Sequence, residues 1–453
     1  MTAFTIGEAP ASRPIIGHLH KLWLHPLEFV QELRDCGDIA VIRVGTSNAY
    51  VINHPQFIRQ MLIKNVNKFD KGAQFDKMKP FTGNGLFNSR GEFHLRQRRL
   101  MQPAFQRSRI AEYVPIMQEI AKARIGSWLP GQPVDVNGDL QSLALTIVTK
   151  ALCSTDIGDR AVREFGESLP IVLDGIGKRV LDPTGLLEKM PLPANIRFNR
   201  AIASMHAVVD DIIRRYRSDG TDHHDLLSQM LLAHDGETGE SMTDAQVHDE
   251  VISILAAGAE TTADTLTWAF YLISERPDVQ ERIRDEVAAA ANGRPAGVGG
   301  ILSGLKYTRQ VITETLRIYP TTWILTRRAV EDTELGGHSI PAGSMVLFSL
   351  YALHRDPAYF ADPEVFDPDR WAPEKAKHVP REAYLPFGTG VRGCIGEPFA
   401  WAEATVILAT LTSHWRIRLT EGTNVKPLAK ALLVPSPLSV IAERWPAPDA
   451  VIR

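Results

Sequence analysis

The sequence predicts a mainly α-helical fold with a minor β region. Three observations carry this. From Phe57 to about Glu331 the apolar residues recur mostly at helical spacing. Strand-like runs are few and lie in small groups on either side of that span. Strands and helices therefore do not alternate as a doubly wound parallel sheet requires.

The elements follow in order. Asp38–Val44 and Ala49–Asn53 flank Gly45-Thr-Ser-Asn48, which reads as a hairpin. Thr243 with Gln246 makes a capping box, and Pro277 sets a far limit. One helix of roughly 30 residues, on the order of 45 Å at the α-helical rise, is expected between them. It is apolar nearly all round from Ile254 to Gly258, as a helix running through a core is. Residues 293–304 are rich in glycine and read as a loop. A second helix is expected from about Leu305 to Ile318, stopping before Pro320. Strands return at Ser344–Leu350 and Trp415–Thr420.

Composition bounds the function. The chain has 453 residues, 44% of them hydrophobic, which is enough for a large core. Its net charge of −3, with both signs mixed, does not point to a nucleic-acid binder. No segment approaches the ~20 apolar residues of a membrane span, and no basic-then-apolar leader opens the chain. Neither a membrane nor a nucleic acid is expected as a partner. The three cysteines, Cys36, Cys153 and Cys394, are widely spaced and odd in number. That fits a reducing cytoplasm and neither a disulfide framework nor a Cys-rich zinc site. Cys36 and Cys153 read as small buried hydrophobes.

Cys394 differs. It lies in Pro386-Phe-Gly-Thr-Gly-Val-Arg-Gly-Cys-Ile-Gly396. Gly388, Gly390 and Gly393 fit G-x-G-x-x-G, a pattern that cradles dinucleotide phosphates when it follows a strand. Pro386 stands where that strand should be, and only 57 residues follow Gly396, too few for the rest of such a domain. A mount for a thiolate uses more of the residues. Glycines let the backbone fold tightly around a sulfur. Pro398 suits the first turn of a helix, which places Cys394 just ahead of a helix N-terminus, where N–H groups favour an anion. Phe387 and Arg392 on the same loop suit a large, planar, anionic cofactor: haem.

The loop resembles the cysteine signature of the cytochrome P450 family, F-x-x-G-x-R-x-C-x-G, at every defined place. Further stretches resemble the family's motifs, in order along the chain: Gly91–Phe105, Ala257-Gly-Ala-Glu-Thr-Thr262, Glu314-Thr-Leu-Arg317 and Phe366–Trp371. The resemblance covers nearly the whole chain. It implies one haem-thiolate domain over residues 1–453, shaped as a triangular prism, with haem b between the long central helix and the helix after the cysteine loop. Cys394 would be the iron ligand. Ala257, Phe387 and Gly396 would border the haem, and His94, Arg98, Arg327 and Arg392 would serve its propionates. Glu260 and Thr261 would form the oxygen-activation pair, although many members carry Asp where this chain has Glu260. Glu314, Arg317 and Arg370 would form a buried structural triad. Taken alone, Glu314 and Arg317 are an ordinary surface pair, and Thr261 and Thr262 could simply bond back to the preceding turn. Arg96 and Arg99 read as solvated cations or as a face for an acidic redox partner. The substrate pocket is expected at Phe69–Phe87, Ile254, Ala257, Thr322, Trp323, Ile324, Leu432 and Leu433.

The implied activity is that of a soluble, bacterial-type monooxygenase: hydroxylation or epoxidation of an apolar molecule with O2. Electrons are expected from NAD(P)H through a separate ferredoxin and ferredoxin reductase, since these residues offer no second G-x-G-x-x-G in a strand–helix setting and no spare length for a flavin domain. The N-terminal region and Arg98–Phe105 resemble actinobacterial terpenoid oxidases of the family, so a terpenoid is the expected substrate. A macrolide, a polyketide and a fatty acid stay open. So do a peroxide-using haem-thiolate enzyme, an isomerase and a non-catalytic haem sensor.

Overall fold

The computed structural model describes residues 4–446 except 154–157, 181, 183–184, 224, 233–238 and 293–299. Helices supply most of it, and a six-stranded mixed sheet supplies one wall. In spatial order the strands are Ile6–Glu8, Ile39–Val44, Ser47–Ile52, Met345–Ser349, Ile324–Ala329 and Phe69–Lys71. Ile39–Val44 pairs antiparallel with Ser47–Ile52, Val44 opposite Ser47. The expected four-residue turn therefore shrinks to Gly45-Thr46, with Gly45 at φ 63°. Ser47–Ile52 then runs parallel to Met345–Ser349, Ala49 opposite Met345.

Two of these strands, Phe69–Lys71 and Ile324–Ala329, fall within the span expected to be helical. Arg327 and Arg328 mask the alternation of the second. Trp415–Leu419 is a strand as expected and pairs with Ser439–Arg444. Of the stretch read as a loop, 293–299 lies outside the described residues and Gly300–Gly304 is a short helix. Cys36 is half-buried, not buried, and the Cys153 side chain lies outside the described residues.

The central helix runs Asp244–Ser274, 31 residues. Thr243 Oγ1 accepts from the Gln246 N–H while the Gln246 side chain accepts from the Thr243 N–H, the reciprocal cap that the sequence predicts. Among others, the helices Val136–Cys153, Lys306–Ile318 and Glu397–His414 pack against it. Their shared core includes Leu255, Leu266, Phe270, Ile407 and Leu411. Ala257 is exposed although it sits mid-way along this buried helix. A cavity of about 330 Å³ lies there, between the central helix and the cysteine loop. Among the described residues, no helix is long and apolar enough to cross a membrane.

Candidate active site

The loop Pro386–Gly396 takes shapes that favour glycine. Gly388 and Gly390 have φ of 68° and 71°, and a Cβ on Gly390 would come within 2.6 Å of the Leu62 carbonyl oxygen. The Gly393 N–H donates to Gly390 O (3.0 Å) and the Cys394 N–H to Phe387 O (2.8 Å), closing the loop on itself. No strand occupies Tyr384–Thr389, so the glycines do not open a dinucleotide fold. Gly396 caps the helix Glu397–His414, with Pro398 in its first turn.

The backbone N–H groups of Gly396 and Glu397 therefore act on the Cys394 sulfur and favour its thiolate. Burial outweighs them. It raises the thiol pKa first, and the Glu397 carboxylate adds to it, while Arg98 opposes. Cys394 is deep in the molecule yet accessible, because its side chain opens onto the cavity. A thiolate in this position calls for a cation in that cavity, and a bound metal meets the need.

The same cavity is lined by His94, Arg98, Arg327, Arg392 and Lys71. Protein carbonyls take up part of their donor capacity: Arg98 to Gly393 O (2.7 Å), Arg392 to Ser89 O (2.7 Å), Arg327 to Thr326 O (2.8 Å) and Lys71 to Leu86 O (3.1 Å). Burial first, then the positive field of Arg392, lowers Lys71 to about 6, His94 to about 4 and Arg327 to about 10. Asp70 only partly offsets this for Lys71 and Arg327. Crowded, partly buried donors, three of them arginines that keep their charge, are a receptor for anions. A sulfur needing a metal and a cationic rim needing carboxylates together fit haem b.

The activation pair divides across the central helix. Thr261 lines the cavity and its hydroxyl donates to Ala257 O (2.7 Å). Thr262 does not bond back; it donates to Glu403 Oε2 (3.0 Å). Glu260 does not line the cavity. It is 6% exposed, and the Gln141 amide sits 3.3 Å from both its oxygens. Burial raises its pKa to about 7 against the pull of Gln141 and Lys430.

A family profile described as Cytochrome P450 matches residues 8–442. The chain belongs to the cytochrome P450 family. It is 44% identical to a cyclooctat-9-en-7-ol 5-monooxygenase of Streptomyces melanosporofaciens over 97% of this chain and 95% of that one. It is 38% identical to a pentalenene oxygenase of Streptomyces avermitilis over 94% and 95%. Its fold superposes on the crystal structure of the cytochrome P450DA heme domain with a TM-score of 0.86, at 26% identity and 98% coverage of both chains. As a cytochrome P450 it is a haem-dependent monooxygenase, which takes O2, an organic substrate and electrons from redox partners.

Behind the cysteine loop of this P450 lies the expected triad. Arg317 and Glu314 are both 0% exposed and meet through two 2.8 Å bonds. Arg370 reaches Glu314 Oε1 at 3.3 Å, and the Trp371 indole N–H donates to Glu314 Oε2 (2.8 Å). Arg317 also donates to the carbonyls of His354, Pro363 and Val365. The triad is thus a buried clamp on the segment 354–371, not a surface pair. Arg96 is held too, by Ser241 O (3.1 Å) and Glu240 (3.4 Å).

The pocket expectation needs correction. Ile254, Ala257 and Thr322 line the cavity, as do Phe75, Leu86 and Phe87; Trp323, Ile324, Leu432 and Leu433 do not. The Trp323 indole N–H donates to Lys430 O (2.9 Å), and its ring packs with the fully buried Leu433 in a separate cluster. Along the strand Ile324–Ala329, side chains alternate. Leu325 and Arg327 face the cavity, and Ile324 packs against the N-terminal cluster instead.

Sequence reasoning missed Lys71, Glu403 and Asp264. A lone lysine carries no signal of its own. The two acids did: each interrupts a helix that is otherwise apolar. Glu403 is 0% exposed, its Oε1 without a partner among the described residues, and burial lifts it to about 8. Asp264 is 4% exposed with Oδ2 likewise unpaired, and burial and Glu260 raise it well above the usual range.

These acids set a pH dependence. Glu260 binds its proton more tightly folded than unfolded, from 4.5 to about 7. Its stabilisation is complete below about pH 4.5 and is lost as pH rises through about 7. Glu260→Gln is expected to flatten the fall in stability between about pH 5 and 8, read from urea midpoints.

Proposed function

We propose that residues 1–453 form a single haem-thiolate domain that inserts one oxygen atom of O2 into a terpenoid. Cys394 would be the iron ligand, and Lys71, His94, Arg98, Arg327 and Arg392 would hold the haem carboxylates. Bound haem would supply O2 activation, the thiolate favouring O–O cleavage. The balance is substrate C–H plus O2, two electrons and two protons, giving the alcohol and water. The observation that carries the reading is that Cys394, Thr261 and the cationic rim line one cavity.

Because the Thr261 proton is committed to Ala257 O, its oxygen lone pairs are left for a proton donor inside the cavity. Thr261 would hold that donor in place. Glu260, titrating near neutrality behind the helix, would take protons from the Gln141 side and hand them forward. Ile254, Leu325 and Phe87 would exclude water around an apolar substrate. The two Streptomyces relatives, named for a cyclooctatene alcohol and for pentalenene, support a cyclic terpenoid. Electrons would arrive from a cytoplasmic ferredoxin and its NAD(P)H-dependent reductase.

Thr261→Ala tests the proton role. In an assay reconstituted with ferredoxin and reductase, NAD(P)H oxidation is expected to continue while product falls and hydrogen peroxide rises. Full coupling of electrons to product in that variant would remove Thr261 from the mechanism.

A further inference from the structure

We infer that Thr321 and Thr322 form a hydroxyl-recognition point, so that the substrate is a terpenoid already carrying a hydroxyl and not a bare hydrocarbon. The inference rests on the terpenoid reading above and narrows it. Both residues line the cavity, at the turn that leads from the helix Lys306–Ile318 into the strand Ile324–Ala329. Thr321 is only 7% exposed. Neither hydroxyl makes a hydrogen bond among the described residues.

The contrast with the opposite wall decides the point. Each lining hydroxyl of the central helix is spent within the protein: Ser253 on Asp249 O (2.6 Å), Thr261 on Ala257 O (2.7 Å), Thr262 on Glu403 (3.0 Å) and Thr265 on Thr261 O (2.8 Å). The other bare lining threonine, Thr389, belongs to the cysteine loop. Thr321 and Thr322 are thus adjacent, uncommitted donors in a cavity whose neighbouring walls include Ile254, Ala257, Leu316 and Leu325.

They are also held still. The Leu433 N–H donates to Thr321 O (2.8 Å). Ser349 Oγ and the Tyr351 N–H both donate to Trp323 O (3.0 and 3.2 Å). Tyr319 stacks on Trp268 with centroids 3.7 Å apart. A rigid turn presents its hydroxyls at fixed positions, so a ligand group that meets them loses little entropy in doing so.

The energetic logic follows. A hydrocarbon that fills this wall displaces water and leaves both hydroxyls unpaired; an alcohol restores a bond. Sites that pair a substrate hydroxyl reject the analogue lacking it far more strongly than apolar walls reject a missing methylene. The reaction feeding this enzyme would then be one that installs a hydroxyl: capture of water at the end of a cyclisation, or an earlier hydroxylation. The present enzyme would add a second oxygen.

The test uses the purified holoenzyme with two probes, cyclooctat-9-en-7-ol and the hydrocarbon lacking its hydroxyl. Binding is measured by calorimetry and by the optical change of the haem. The parent protein is expected to prefer the alcohol on the order of 10- to 100-fold. The double variant Thr321→Val, Thr322→Val keeps the shape and is expected to lose that preference, chiefly through weaker alcohol binding. Thr321→Ser with Thr322→Ser keeps the hydroxyls and should keep the preference even if the valine variant folds poorly. Equal binding of both probes to the parent overturns the inference and leaves the terpenoid reading standing. A preference that survives the valine substitutions overturns it as well. Binding of neither probe removes both readings.

Discussion

Cys394→Ala is expected to abolish the spectrum of a thiolate-ligated haem. In the parent, the reduced protein with carbon monoxide should give the Soret band of that ligation; in the variant the band should be absent and turnover lost with it. The physical reason is that, among the described residues, no other thiol lines the cavity. Cys36 stands by the N-terminal strands, its thiol directed to Glu32 O, and is not among the cavity-lining residues. Cys36→Ala is therefore the control and should leave the band unchanged. An unchanged band in Cys394→Ala would remove Cys394 as the ligand.

Glu314→Ala is expected to have the largest effect on folding. It strands the Arg317 guanidinium in a site with no exposure at all and strips acceptors from Arg370 and Trp371. Removing one partner of a buried ion pair costs about 3–5 kcal/mol, a large part of a typical protein's stability. Glu314→Ala and Arg317→Ala should each lower the melting temperature by many degrees, or yield protein without haem. Arg370→Ala should be milder, because Arg370 is partly exposed and its bond to Glu314 is long. Melting curves of the three variants give that ranking directly. Equal losses for all three would mean that the triad acts as one indivisible unit.

What the sequence made legible was local. The capping box at Thr243 reports a helix start because both its bonds lie within four residues. The glycine loop announces itself because its positive φ values restrict the residue type. Facing was harder. Glu260 and Thr261 are adjacent in sequence, yet successive residues on a helix point about a third of a turn apart. One lines the cavity and the other packs against Gln141. On the strand after Pro320 a shift of one residue exchanges the cavity face for the core, which is why Leu325 lines the cavity and Ile324 does not. Lys71 was illegible because a lysine is usually solvated. Only the fold brings Arg327 and Arg392 beside it.

The wall formed by the six-stranded sheet has a history built into it. Ser47–Ile52 finds its parallel neighbour in Met345–Ser349, about 300 residues later in the chain. At ~5–20 residues per second of synthesis, the neighbour emerges roughly 15–60 s after the hairpin has left the ribosome. For that time the hairpin carries an unpaired edge, the kind of surface on which nascent chains join one another. The yield of folded protein should accordingly respond to translation rate and to chaperone supply, through a strand of which no residue lines the cavity.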